Sequence, residues 1–173
     1  MLEPAVEADH PAIVELVNLA YRGKVGDAES WNVETGVIDG ERTTVELLRE
    51  DLAQTPHARI MVHRDGDRIL ACVWLEPMPD GSWHLGMLAV RPDLQVGGMG
   101  RRMLEWSETH IKATGATRVH LAVLNAREAL IAWYERRGYA MTGEITPFPY
   151  GDDRFGRPLR DDLNFVTLEK ALG

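Results

Sequence analysis

The sequence predicts an α/β domain, mostly antiparallel in its first half, with a β-α-β crossover later. Three observations carry that expectation. Two runs rich in β-branched and apolar residues, "ARIMVHR" and "RILACVWLE", flank Asp65-Gly66, a dipeptide suited to the positive φ angles of a tight hairpin. The stretch "AVRPDLQVGGMGRRML", residues 89–104, runs from a strand end through a proline and three glycines into a helix. Beyond it "RRMLEWSETHIKATG", "RVHLAVL" and "AREALIAWYERRG" alternate between helical and strand periodicity, as a crossover requires.

The remaining elements fall around these. In "ADHPAIVELVNLAYRG", Asp9 stands as N-cap and Pro11 in the first turn, with Ile13, Leu16, Val17 and Ala20 at helical spacing. A short strand at residues 2–3 can precede this helix. Residues 22–42, rich in glycine and acids, read as a long loop. Thr43 and Glu46 form a capping-box pattern before "VELLREDLAQ". After the hairpin, Pro77, Pro79 and Gly81 break the chain before a third strand, "SWHLGMLAV". Leu104 and Ile111 share one face of the next helix, which Gly115 stops; Gly138 ends the last helix. The late strands "YAMTGEIT" and "LNFVTLEK" flank a loop at 147–161, so the order is ααβββαβαββ.

Bulk properties narrow the function. A chain of 173 residues with 45% hydrophobic and 27% charged residues fits one domain, residues 1–173, with a full core. With 19 basic and 27 acidic residues the formal charge is −8, which argues against nucleic acid and favours a neutral or cationic small substrate over a polyanion. Cys72 is the single cysteine, so no intrachain disulfide forms and a reducing compartment is expected. No secretory pattern opens the sequence and no run approaches a membrane span, so a cytoplasmic protein is expected. His10, His57, His63, His110 and His120 show no metal-ligand spacing with acids or Cys72, and no metal is assigned.

The glycines carry the chemistry. Glycine in a helical turn costs about 1 kcal/mol relative to alanine. Something must therefore require bare backbone at Gly97, Gly98 and Gly100. A strand that ends in a loop of exposed N–H groups leading into a helix N-terminus is suited to a phosphate. Neither G-x-x-x-x-G-K-[ST] nor a G-x-G-x-x-G dinucleotide fingerprint fits "QVGGMGRRM". Gln95-Val96-Gly97-Gly98-Met99-Gly100 does fit Q-x-x-G-x-G. That pattern resembles the acetyl-CoA pyrophosphate loop of the GNAT superfamily of N-acetyltransferases. The element order from residue 11 to 170 is similar to the GNAT order, and Tyr134-Glu135-Arg136-Arg137-Gly138-Tyr139 resembles the family's Y-x-x-x-G-F/Y.

The resemblance implies the GNAT fold: a mixed, mostly antiparallel central sheet of six to seven strands flanked by about four helices. It implies that acetyl-CoA is the co-substrate. Its pantetheine arm would lie along the main chain of Leu88, Ala89 and Val90, and its pyrophosphate against Gln95, Val96, Gly97, Gly98, Met99, Gly100 and Arg101. Val96-Gly97 stands where many members carry glycine then a basic residue, which trades a phosphate-facing charge for bare backbone; Arg101 and Arg102 can compensate. Asn125 resembles a cofactor-contacting asparagine, although it also reads as an N-cap for the helix that follows. Tyr134 resembles the acid that protonates departing CoA. His84, four residues before Leu88, matches a position where members carry a glutamate or histidine base, and it also reads as a hydrogen-bonded strand residue. Gly86, on the same face, would leave room beside it for substrate.

The acceptor pocket would come from residues 22–42 and 147–161. Trp31 and Glu34 are the candidate acceptor contacts, and Asp39, Asp152 and Asp153 could attract a cationic amine. The implied reaction is direct attack of a primary amine on the thioester in a ternary complex, with the Leu88 N–H stabilising the oxyanion. The acceptor is a small-molecule or peptide amine, and the resemblance allows a homodimer. Two rivals stay open: a catalytically silent CoA-binding sensor or interaction module, and an acyltransferase that uses a longer acyl-CoA.

Overall fold

The computed structural model describes residues 1–23 and 36–173. In chain order the elements are β1 (Glu3–Pro4), α1 (His10–Arg22), β2 (Ile38–Asp39), α2 (Val45–Gln54), β3 (Arg59–Asp65), β4 (Arg68–Pro77) and β5 (Trp83–Val90). There follow α3 (Met99–Ala113), β6 (Arg118–Leu124), α4 (Glu128–Glu135), β7 (Ala140–Pro147), β8 (Arg157–Pro158) and β9 (Asn164–Ala171). Seven strands form one sheet in the order β1-β3-β4-β5-β6-β9-β7, in which only β5 and β6 are parallel. The mixed, mostly antiparallel sheet with four α-helices is the fold class read from the sequence.

Strand alternation sorts the core into two layers. Ile60, Val62, Cys72 and Ala89 face Ile13, Leu16, Val17 and Ala20 of α1 and Leu48 of α2. Met61, Ala71, Val73, Leu75 and Val90 point the other way, against Met103, Leu104 and Ile111 of α3 and Leu130 and Tyr134 of α4. The predicted apolar stripes are therefore the buried ones.

Alternation breaks in β5, next to the site. Leu85 packs with the α3 layer but Met87 and Ala89 pack with the α1 layer, although all three are odd-numbered. The cause is a bulge. Gly86 pairs with Trp74 and Ala89 with Cys72, so Met87 and Leu88 together stand opposite Val73. Met87 has φ 48, the sole positive φ outside glycine among the described residues.

Several local expectations need correction. The cap of α2 is Thr44, whose hydroxyl accepts from the Leu47 N–H at 3.2 Å, so the Thr43–Glu46 capping box does not form. Thr43 is buried and its N–H is held by Asn18 Oδ1 at 3.2 Å. Asp9 makes no side-chain cap to α1. Its carboxylate accepts from the Val6 N–H at 2.9 Å and pairs with Arg64 at 2.9 Å, closing the 3-10 turn at Glu7–Asp9. The loop at 22–42 contains β2, which pairs with β8 from the 147–161 loop, Ile38 opposite Pro158. α3 starts at Met99, two residues before "RRML" and straight after a 3-10 turn at Pro92–Gly97. α4 is shorter than its sequence pattern, and its N-cap position is Arg127, not Asn125.

The cap assignment is testable by thermal denaturation. Thr44→Ala should cost about 1 kcal/mol, a fall of roughly 2–4 °C in Tm for a chain of this size, and Thr44→Ser should restore it.

Candidate active site

The site begins where two parallel strands part. β5 and β6 are bridged at Trp83–Val119 and His84–His120 and at no later pair. From Leu85 onward the edge of β5 that faces β6 has left its neighbour, while its other edge stays on β4 through Val90–Ala71. A cavity of about 350 Å3 fills this opening. Its walls are residues 84–88 of β5 and 121–124 of β6, with Tyr21, Leu48 and Trp74 on the α1 side and Leu130 and Tyr134 on the α4 side. Because those two groups belong to opposite core layers, the cavity passes through the sheet.

His84 enters it from the α1 layer. It stands between Glu76 on β4 and His120 on β6, with its ring 5.3 Å from that of His120. A Cβ on Gly86 would lie 3.0 Å from His84 Nε2, so the space left by Gly86 holds the imidazole itself. That corrects the expectation that Gly86 makes room for substrate. Burial pushes the His84 imidazole below its ordinary value, the His120 ring adds to the effect, and Glu76 opposes it.

Tyr134 enters from the α4 layer, packed edge-on between Trp133 and Tyr139. Its hydroxyl makes no hydrogen bond among the described residues. Burial pushes the phenol well above its ordinary range; Tyr21 adds to this, and Arg127 and Arg137 offset part of it. Tyr21 donates from its hydroxyl to the Leu88 carbonyl at 3.3 Å, which ties α1 to the bulge.

Past Val90 the chain turns through the glycine loop. The Gln95 amide donates to the Val90 carbonyl at 3.1 Å, so this side chain fastens the loop to the strand end. Gly98 has φ 74 and caps α3 in the left-handed region, which accounts for glycine there. Gly97 has no such reason: its φ is not positive, and an added Cβ would meet nothing within 4 Å. Val96 is fully exposed, whereas the Met99 side chain belongs to the core. The first i→i−4 bond of α3 runs from the Arg102 N–H to the Gly98 carbonyl at 3.1 Å, leaving the Met99, Gly100 and Arg101 amides ahead of it at the positive end of the helix. Arg101 is exposed and paired with Glu105 at 3.7 Å.

Asn125 is committed elsewhere. Its amide donates to the Asp162 carbonyl at 2.9 Å and its oxygen accepts from the Asn164 N–H at 3.0 Å, joining the end of β6 to β9. Trp31 and Glu34 lie outside the described residues. Asp39, Asp152 and Asp153 do not line the cavity; Asp39 pairs with Arg157 at 2.7 Å and Asp152 accepts from the Arg154 N–H at 3.0 Å. The cavity does receive Arg22, Ile38, Arg42 and Phe148 from the two segments expected to form the acceptor side. The arginines were not anticipated, because their signal is positional: they bracket a loop otherwise rich in acids. Among the described residues, no three His, Cys, Asp or Glu side chains are grouped to hold a metal, and no helix is long and apolar enough to cross a membrane.

The family model of the GNAT acetyltransferases matches residues 25–139. The S-(2-succino)cysteine N-acetyltransferase of Bacillus subtilis is 34% identical over 148 residues, covering 81% of this chain and 84% of that protein. The mycothiol acetyltransferase of Saccharopolyspora erythraea is 28% identical over 132 residues, and there the match spans 76% of this chain but 40% of the relative's length. Among solved structures, the ribosomal-protein-S18-alanine N-acetyltransferase from Escherichia coli superposes with a TM-score of 0.69 at 18% identity, covering 100% of this chain and 94% of that one. The chain thus belongs to the acetyltransferase (GNAT) family.

Proposed function

We propose that this protein is an acetyl-CoA-dependent N-acetyltransferase acting on a small primary amine, by direct transfer in a ternary complex. The observation that carries the reading is the through-sheet cavity at the β5–β6 splay, with His84 on one wall and Tyr134 on the other. The residues present suit acetyl-CoA. Gly97 leaves an open approach to backbone with no need of its own for glycine, and the α3 amides ahead of the first helical bond offer donors for a pyrophosphate. Gln95, Val96, Gly97, Gly98, Met99, Gly100 and Arg101 would hold that group mainly through N–H groups, and the main chain of Leu88, Ala89 and Val90 would receive the pantetheine arm along the open edge of β5. The bound molecule supplies its acetyl group as a thioester.

His84 then removes a proton from the attacking amine, for which a neutral imidazole is needed; burial keeps it neutral at pH 7. The Leu88 N–H, at the bulge, polarises the thioester carbonyl. As the new C–N bond forms and the C–S bond breaks, Tyr134 gives its proton to the departing sulfur. Asn125 positions the end of β6 by holding β9. Cys72 supports direct transfer over an acetyl-cysteine route: it is buried, burial pushes its thiol up to about 12, and it does not line the cavity.

Gly97→Val separates cofactor binding from folding. Its added Cβ would meet nothing within 4 Å, so Tm should hold while the acetyl-CoA Kd, by calorimetry, rises tenfold or more, roughly the loss of one charge-assisted contact. Unchanged affinity would remove the pyrophosphate assignment. Gly98→Val is the poorer test, because its φ strains any side chain.

Tyr134→Phe should lower kcat by about ten- to a thousandfold, the scale of losing one general acid, with Tm nearly constant. Wild-type kcat in this variant would assign the proton to another donor.

For His84 the sign is set by burial. Because the charged form is disfavoured, kcat/KM should rise with pH through an apparent pKa below the ordinary imidazole value of about 6.5 and level off above it. His84→Ala should abolish that limb. A limb at or above the ordinary value in the wild type would point to a different base.

A further inference from the structure

We infer that Glu76 and His120 are positioning residues for His84, flanking it on the two neighbouring strands and governing when its imidazole can take the amine's proton; this rests on the transferase reading above. Strand register places the three in one line. Glu76 of β4 stands opposite His84, His84 stands beside His120 of β6, and His120 stands opposite Glu169 of β9. Their faces agree as well. Leu75, Leu85, Val119 and Leu168, each one residue away, all pack in the α3 layer, so these four side chains project from the other face of the sheet. All four are half-buried. Of the four, His84 alone lines the cavity, so Glu76 and His120 reach a bound acceptor only through it.

The orientation of the imidazole assigns its atoms. A Cβ on Gly86 would lie 3.0 Å from His84 Nε2 but 3.7 Å from Cδ2 and 3.8 Å from Cε1, so Nε2 leads the ring toward Gly86, itself on the cavity wall. Nε2 is therefore the atom that accepts the amine's proton, while Nδ1 keeps its own. The amine N–H bond breaks as the Nε2–H bond forms, and a positive charge appears on the ring. That charge arises between a carboxylate and a second imidazole. Side chains directly opposite on adjacent strands start about 5 Å apart, and the two histidine ring centroids are 5.3 Å apart. The Trp74 indole N–H donates to the Glu76 carboxylate at 3.2 Å and steadies it, and its charge favours the imidazolium. A proton on His120 opposes it. Burial is the largest influence holding the His84 imidazole down; His120 adds to it and Glu76 counters it. On its far side His120 meets Glu169, already paired with Arg118 at 3.4 Å. The other ionisable side chains on the cavity wall, among the described residues, are Tyr21, Arg22, Arg42, Asp51, Arg127 and Tyr134. They come from the helices and loops around the sheet, whereas Glu76 and His120 are fixed beside His84 by strand register.

The test reads the imidazole directly. The His84 ring is titrated by NMR in the free protein, and kcat/KM is followed against pH with one amine that turns over. The acceptor's own ionisation is then common to every variant. Glu76→Gln should move both the NMR midpoint and the kcat/KM limb down, by roughly half a pH unit to one unit, the scale of one nearby charge partly screened by solvent. His120→Gln, neutral at every pH, should move both up by a similar amount. Glu76→Asp should stay close to the wild-type midpoint, and acetyl-CoA affinity by calorimetry should be unaffected in all three. A purely structural role would lower Tm or kcat without displacing the midpoints in opposite directions. Should one glutamine variant fold poorly, the other decides alone by the direction of its shift. Midpoints that stay fixed, or move the same way in both variants, overturn the inference and leave the transferase reading standing. An NMR midpoint that moves while the kcat/KM limb does not removes His84 as the base, and the positioning role falls with it. Absence of thiol release with every amine tested overturns the transferase reading, and this inference too.

Discussion

Parallel strands in the middle of a sheet normally exchange hydrogen bonds along their length, because a buried backbone group without a partner costs free energy. β5 and β6 do so only at Trp83–Val119 and His84–His120. The rest of the site depends on that interruption. Two features sustain it. The bulge at Met87 and Leu88 shifts the strand's pairing on β4 and turns its side chains over, so Leu85 and Leu88 both anchor in the α3 layer. The Tyr21 hydroxyl then reaches the Leu88 carbonyl from the other layer. A ligand that adds itself along the open edge gains main-chain hydrogen bonds from groups the fold has already oriented. That is the physical basis for placing an extended arm of a co-substrate there.

The scaffold was legible because its signals are local and periodic. Ile13, Leu16, Val17 and Ala20 face one layer, and Leu104 and Ile111 the other, as their spacing required. What escaped depends on contacts far apart in sequence. The β2–β8 pair joins Ile38 to Pro158, two segments with no strand periodicity of their own. The bulge also leaves no local trace, since Met87 is an ordinary apolar residue whose positive φ comes from the register on β4. The α2 cap was misplaced by one residue because Thr43 and Thr44 carry the same hydroxyl; burial of Thr43 against Asn18 decides between them.

The glycine loop divides along the same line. Three glycines were visible, but their reasons differ. Gly98 answers to its own backbone angle, Gly100 is buried in the first turn of α3, and Gly97 answers to nothing within the described protein. Only the third kind is evidence for a partner outside the chain, and distinguishing it takes coordinates. Net charge is a property of the whole surface, whereas a cavity selects a few side chains, here among the described residues Arg22, Arg42, Arg127 and Asp51.

In the proposed mechanism one cause prepares both proton-transfer groups. Burial disfavours charge, so it pushes the His84 imidazole down and the Tyr134 phenol up. At neutral pH both are therefore uncharged: one is a base able to accept a proton, the other an acid still holding its own. A phenol raised in this way is a weaker acid than in water, and an ordinary thiol titrates near 8.5. Transfer from Tyr134 to a solvated thiolate would run uphill. It becomes favourable only if the departing sulfur meets the same apolar surroundings, which destabilise a thiolate as they do a phenolate. Leu88, Leu121, Val123 and Leu130 supply those surroundings on the wall of the cavity shared with Tyr134. The apolar lining thus belongs to the chemistry as much as to the fold: it fixes when the tyrosine can release its proton, which is only once the C–S bond has begun to break.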